Sequence, residues 1–213
     1  MNQTFLDEIV NKKEAEFFLH EVSNWDSHRP LLYLALELTK NSNAPILELG
    51  CGDGSTPYLH NYIQTDKRNL VSFDTKEFWL NKFIHFKSEK HNFVYLPDNY
   101  GFNKNTQEWY DKSPEIINWL DDVTSNNISV CLVDHACGER RHSDLKRIHK
   151  KCDIMIIHDS EPQATGYMMN KVWPLFKYVI HFKQFGAWTT MVSNRHDVTK
   201  FDKMKIKEFE LNV

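Results

Sequence analysis

The chain is 213 residues long, with 26 basic against 29 acidic residues and a formal net charge of −3. That length suits one domain with a sizeable core, and the near-neutral balance argues against a protein held on nucleic acid by charge alone. No apolar run reaches membrane-spanning length, residues 4–20 show no secretory pattern, and four scattered cysteines form no C-x-x-C pair, so a soluble cytoplasmic protein with reduced thiols is expected.

Taken in order, residues 4–20 place Phe5, Ile9, Phe17, Phe18 and Leu19 among charges, the pattern of an amphipathic helix. A second helix is expected over 29–40, with Pro30 in its first turn and Leu31, Leu32, Leu34, Leu36 and Leu38 making it apolar nearly all round. Residues 41–45 break it. The apolar run Ile46-Leu47-Glu48-Leu49 then reads as a buried strand that enters Gly50-Cys51-Gly52-Asp53-Gly54-Ser55. Three of the chain's seven glycines fall within these five positions, from Gly50 to Gly54. Glycine tolerates positive φ and lets a ligand approach the backbone, so the clustering points to a cradle. Ser55 offers an N-cap to a helix over 58–64. Strand, tight turn and helix N-terminus together suit a nucleotide. The spacing is G-x-G-x-G, not the G-x-G-x-x-G of dinucleotide enzymes.

Strands follow at 69–74, 92–96, 128–134 and 153–159, separated by helices at 78–86, 114–125 and 140–151 and a loop over 97–112. Strands alternating with helices at this spacing predict a parallel sheet with helices on both faces. The last third differs. Strands at 178–182 and 188–193 are joined by a loop containing Gly186 that is too short for a crossover, so they should run antiparallel. No repeat, low-complexity tract or composition shift marks a second domain. One domain over 1–213 is expected: N-terminal helices over 1–44 covering the site, a core over 45–193, and a tail over 194–213.

The glycine motif with Glu48 resembles the first motif of class I S-adenosylmethionine (SAM) methyltransferases. The resemblance implies an α/β Rossmann-like methyltransferase fold: a seven-stranded, mostly parallel sheet with an antiparallel C-terminal hairpin and helices on both faces. It implies SAM as cofactor, bound along Glu48, Gly50, Cys51, Gly52, Gly54 and Ser55. Glu48 would approach the methionine amine of SAM; the alternative is a carboxylate that fixes the glycine loop. Asp74, ending the second strand, stands where such folds keep an acid for ribose hydroxyls; the alternative is a helix cap. Asp98 resembles the residue that meets the adenine amino group, although Asp98-Asn99-Tyr100-Gly101 also reads as a turn.

The fourth strand ends in Asp134-His135-Ala136-Cys137-Gly138-Glu139-Arg140-Arg141-His142, the fifth in His158-Asp159-Ser160-Glu161-Pro162. On neighbouring strands, Asp134 and His135 would face His158 and Asp159. Such a set can bind a divalent cation, form an acid–base pair, or only pin two loops together. The two ends look like the small-molecule O-methyltransferase branch that includes macrocin O-methyltransferase and the cephalosporin-hydroxylase-like proteins. That resemblance implies Asp134 and Asp159 as ligands of Mg²⁺ or another divalent cation, but His158 stands where a carboxylate is often the partner, and imidazole suits softer cations. Of Arg140 and Arg141, one is expected to be solvated and the other to offer a guanidinium fork to the substrate. Cys137 reads as packing. Tyr100, Phe102, Trp109 and Tyr110, with Tyr167, Met168, Met169 and Trp173, form either a hydrophobic lid over the acceptor or a small core of their own.

The expected activity is SAM-dependent O-methylation of a small hydroxylated molecule, such as a sugar or nucleotide-sugar. Asp134, His135 or His158 would take the hydroxyl proton, or a bound cation would lower its pKa. A macromolecular methyltransferase and a non-catalytic SAM-binding subunit are the alternatives. The Asn/Asp-Pro-Pro-Tyr signature of amino-group methylation is absent after the fourth strand. No membrane partner is expected, a nucleic-acid partner is disfavoured, and the oligomeric state is open.

Overall fold

Seven strands form one sheet in the order β3-β2-β1-β4-β5-β7-β6. The computed structural model describes residues 22–96, 127–136, 138–162 and 167–201. The expected helices at 4–20 and 114–125, the loop over 97–112, Asp98, Cys137 and most of the tail therefore lie outside the described residues. So do Tyr100, Phe102, Trp109 and Tyr110.

Strands β1 (Ile46–Leu49), β2 (Leu70–Asp74), β3 (His91–Tyr95), β4 (Ile128–Val133) and β5 (Cys152–Ile157) are parallel, with Ile46 in register with both Leu70 and Val130. Strands β6 (Tyr178–Phe182) and β7 (Thr189–Ser193) close the sheet antiparallel, Met191 pairing with Ile156 on one side and Ile180 on the other. The sequence expectation of five parallel strands and an antiparallel hairpin is met. Chain order reverses between β1 and β4, which creates the crevice where ligands enter open α/β sheets.

The central strands are buried on both faces, so their sequences read as unbroken apolar runs. Alternation sorts them between two cores. Val130, Leu132, Ile154 and Ile156 pack with helix α1 (Arg29–Leu38) and with Leu59 and Ile63 of helix α2 (Thr56–Thr65). Cys131, Val133, Met155 and Ile157 pack on the other face with Leu145 and Ile148 of helix α4 (Gly138–Ile148). Helix α1 is buried all round, as its leucines require.

Some boundaries shift for local reasons. Helix α1 ends at Leu38, and the Thr39 hydroxyl after it donates back to the Ala35 carbonyl, 2.8 Å away. Helix α3 (Glu77–Phe83) passes into a 3₁₀ turn over Ile84–Phe86 in place of one helix to residue 86. Ser55 precedes α2, but its hydroxyl makes no cap; it donates to Glu48 instead. Thr56 serves the turn, its Oγ1 accepting from the Gly52 N–H at 2.9 Å.

Candidate active site

The glycine turn is pressed against the start of the β4–α4 loop. Gly50 sits at φ +105°, and a Cβ there would lie 2.5 Å from the Asp134 carbonyl carbon and the His135 nitrogen. Only glycine fits. The turn is anchored below by Glu48, which is fully buried. Its Oε1 accepts from Ser55 Oγ at 2.6 Å and Thr56 Oγ1 at 2.9 Å, its Oε2 from Ser72 Oγ at 2.5 Å. Burial pushes its pKa up to about 7 against the pull of these hydroxyls. The Ser72 hydroxyl also lies 2.8 Å from His91 Nε2, which extends the buried polar chain toward the outer strands. Glu48 and Gly50 lie beneath the cavity that the turn borders; Cys51, Gly52, Gly54, Ser55 and Asp74 line it.

That cavity has a volume of about 530 Å³ and opens at the carboxyl edge of the sheet, within the usual range for a small-molecule site. A cleft of about 680 Å³ near Glu37 and Lys67 is larger, but it lies at the amino ends of β1 and β2, away from the glycine turn. Asp74 is buried on the cavity wall. One carboxylate oxygen accepts from the Cys51 N–H at 2.8 Å and the other from the Lys76 N–H at 2.7 Å. Burial nevertheless raises its pKa. With about four lone-pair sites and three backbone N–H partners, the carboxylate keeps acceptor capacity for a ligand hydroxyl.

Opposite Asp74, the ends of β4 and β5 meet. Asp134 Oδ1 accepts from Arg141 Nη2 at 3.0 Å and lies 3.1 Å from His158 Nδ1. Arg141 Nη1 donates to the His158 carbonyl at 2.8 Å and reaches Asp159 Oδ2 at 3.4 Å. Burial would raise the Asp134 pKa, but Arg141 and His158 hold it well below the usual carboxylate range. Burial opposes charge on His158, yet the hydrogen bond and charge of Asp134 raise its pKa. Asp159 takes a left-handed backbone, φ 50°, which a short polar side chain tolerates.

The structure therefore brings Asp134, His158 and Asp159 together at the cavity, as expected, but not His135. That side chain is 2% exposed and turned under α4, where Nε2 lies 2.9 Å from Asp144 Oδ2. Successive residues leaving a strand point to opposite faces, so Asp134 and His135 part company. The reading of one arginine as solvated also fails: both are buried, Arg140 with Nε 3.0 Å from Asp144 Oδ2 and Arg141 between the two site acids. A guanidinium in that place supplies the positive charge that a cation bridging Asp134 and Asp159 would bring.

The segment before α1 completes the wall; sequence reasoning expected residues 1–44 over the site but singled out none of the residues that border it. Trp25, Asp26 and His28 all border the cavity. Asp26 pairs with Arg29 at 2.8 Å, and its carboxylate fills the space that a side chain at position 54 would need. His28 is 1% exposed, with Nε2 3.2 Å from the Gly54 carbonyl. Burial, aided by the His158 charge, lowers its pKa to about 4. Tyr167 closes the far side, its ring 4.9 Å from the Arg141 guanidinium. Met168, Met169 and Trp173 of the expected lid line an adjoining cavity of about 340 Å³ with His181 and Trp188. Among the described residues, no helix is long and apolar enough to cross a membrane.

The sheet has the Rossmann-like architecture seen in solved SAM-dependent methyltransferases. Among particular proteins, the methyltransferase domain of METTL16 superposes with a TM-score of 0.54 at 11% identity, over 78% of this chain and 67% of that one. The O-methyltransferase TomG from Streptomyces achromogenes, which takes part in tomaymycin synthesis and was solved with SAM, gives 0.53 at 14% identity, over 88% and 90%. The N-methyltransferase NodS from Bradyrhizobium japonicum WM9, solved with S-adenosylhomocysteine, gives 0.50 at 11% identity, over 91% and 98%. No protein-family model matches the chain, and no curated protein does.

Proposed function

We propose that the protein is a SAM-dependent methyltransferase that methylates a hydroxyl of a small molecule, such as a sugar or nucleotide-sugar. One observation carries this reading. A single cavity joins the glycine turn and Asp74, a place for the donor, to Asp134, a place for the acceptor.

Methyl transfer from a sulfonium is an in-line displacement, so most of the work is alignment. In this reading the backbone from Cys51 to Ser55 holds the donor, and Asp74 takes its ribose hydroxyls. The acceptor hydroxyl donates to Asp134 Oδ2, the oxygen with no partner among the described residues. As the oxygen–carbon bond forms and the sulfur–carbon bond breaks, the hydroxyl proton becomes strongly acidic. Even a weakly basic carboxylate then accepts it. Arg141 and His158 position Asp134 for that contact and keep it ionised. Tyr167 borders the acceptor end of the cavity. The adjoining cavity between Met168 and Trp188 suits the remainder of the acceptor, its flat rings offering stacking surface.

Incubating the protein with methyl-labelled SAM and panels of sugars, nucleotide-sugars and phenols tests the proposal. Label transferred to a hydroxyl supports it. Label that goes only to amines, proteins or RNA overturns the O-methyl assignment.

A further inference from the structure

We infer that His28, Asp134 and His158 form a binding site for one first-row divalent metal ion of the Zn²⁺ or Co²⁺ kind. One potential ligand atom from each residue lies within 4.8 Å of the others, close enough for one ion at ordinary N- and O-ligand distances to reach all three after small side-chain movements. The set is two imidazoles and one carboxylate, and nitrogen donors select such ions over Mg²⁺.

Two further observations point the same way. Each histidine has one nitrogen already spoken for on the outside. His28 Nε2 is 3.2 Å from the Gly54 carbonyl, and His158 Nε2 is 3.0 Å from the Ser27 hydroxyl. Metal-binding histidines use their second nitrogen in this way, which fixes the tautomer and aims the first nitrogen. In His28 the nitrogen left over, Nδ1, is buried with no partner among the described residues, an unmet need in a side chain that is 1% exposed. In His158 it is Nδ1, now 3.1 Å from Asp134 Oδ1; metal binding would release its proton to solvent.

Asp134 can keep Oδ1 on Arg141 and present Oδ2 to the ion. Asp159 is not a ligand, because Arg141 stands between it and Asp134. Three protein ligands leave a coordination position open toward the cavity. An acceptor hydroxyl placed there would be more acidic and would lose its proton to solvent in the open cavity, Asp134 then serving as a ligand of the ion.

The site is read directly from metal binding, so its failure leaves the methyl-transfer proposal standing. Chelator-stripped full-length protein is titrated with CoCl₂, following visible d–d absorption, and with ZnCl₂ by calorimetry. One equivalent is expected to bind, undisturbed by millimolar Mg²⁺. His28→Gln, His158→Gln and Asp134→Asn should each weaken binding by about tenfold or more, whereas Asp159→Asn should not. Circular dichroism and melting curves establish that each variant is folded; for any that is not, His28→Asn or His158→Asn takes its place. Absence of stoichiometric Co²⁺ and Zn²⁺ binding overturns the inference. So does binding that His28→Gln leaves unchanged, or that Asp159→Asn weakens as much as Asp134→Asn.

Discussion

Asp134 stands on the cavity wall with one carboxylate oxygen held by both Arg141 and His158. Asp134→Asn keeps the shape and removes the charge. Methyl transfer should fall by about two orders of magnitude or more, while SAM affinity stays within a few-fold; a variant that turns over like the wild type removes Asp134 from the mechanism. Glu48 makes a different kind of prediction. Its carboxyl is fully buried, and burial raises its pKa from 4.5 to about 7. Between those values the folded protein holds a proton that the unfolded chain releases, so stability is greatest at the acid end and declines as pH rises through the window. The decline is on the order of 3 kcal/mol. Glu48→Gln cannot ionise, and denaturant midpoints at pH 5 and pH 8 should differ less for it than for the wild type. An equal pH dependence in the two proteins would show that Glu48 does not titrate in this range.

At the scale of elements, the glycine turn separates two kinds of constraint. A Cβ on Gly50 meets the backbone of Asp134 and His135, which cannot swing aside, in a left-handed conformation. Gly50→Ala should therefore cost at least about 2 kcal/mol of stability. A Cβ on Gly54 meets side chains, the Asp26 carboxylate and, at 3.3 Å, the His28 ring; Asp26 can rotate away at the expense of its ion pair with Arg29. Gly54→Ala should cost less than Gly50→Ala, because flexible side chains and not backbone stand in the way, and act mainly on ligand affinity. Chemical denaturation of both variants checks the order; a Gly54→Ala protein less stable than Gly50→Ala would refute it. The turn was legible in the sequence because glycine clustering has few other causes. The burial of Glu48 beneath it was legible only as one of two alternatives, since strand residues at such an end can face either the ligand or the helix behind.

For the whole molecule, the strands could be read because parallel strands buried on both faces leave unbroken apolar runs, and the short 182–188 connection dictated the antiparallel ending. The partition of site residues was harder. That His135 turns away from Asp134 follows from strand alternation, a signal present in the sequence. The contribution of Asp26 and His28 was not, because an irregular segment carries no periodicity and reaches the site only through the packing of α1. Arg68 was missed for the same reason. Fully buried, it binds Asp66 at 2.7 Å, the Thr39 hydroxyl at 2.7 Å and the Leu36 carbonyl at 3.1 Å, joining the end of α1 to the start of β2. Arg68→Met strands Asp66 and these acceptors, and should cost about 3–5 kcal/mol, measured by urea denaturation.

In the proposed function, the cavity beside the glycine turn is a SAM site. Isothermal titration calorimetry with SAM tests it most directly, on the wild type and on Asp74→Ala. Saturable one-to-one binding is expected, weakened by about tenfold or more when the Asp74 carboxylate is removed. No heat at millimolar SAM, or equal affinity in the two proteins, would rule out this cavity as the donor site.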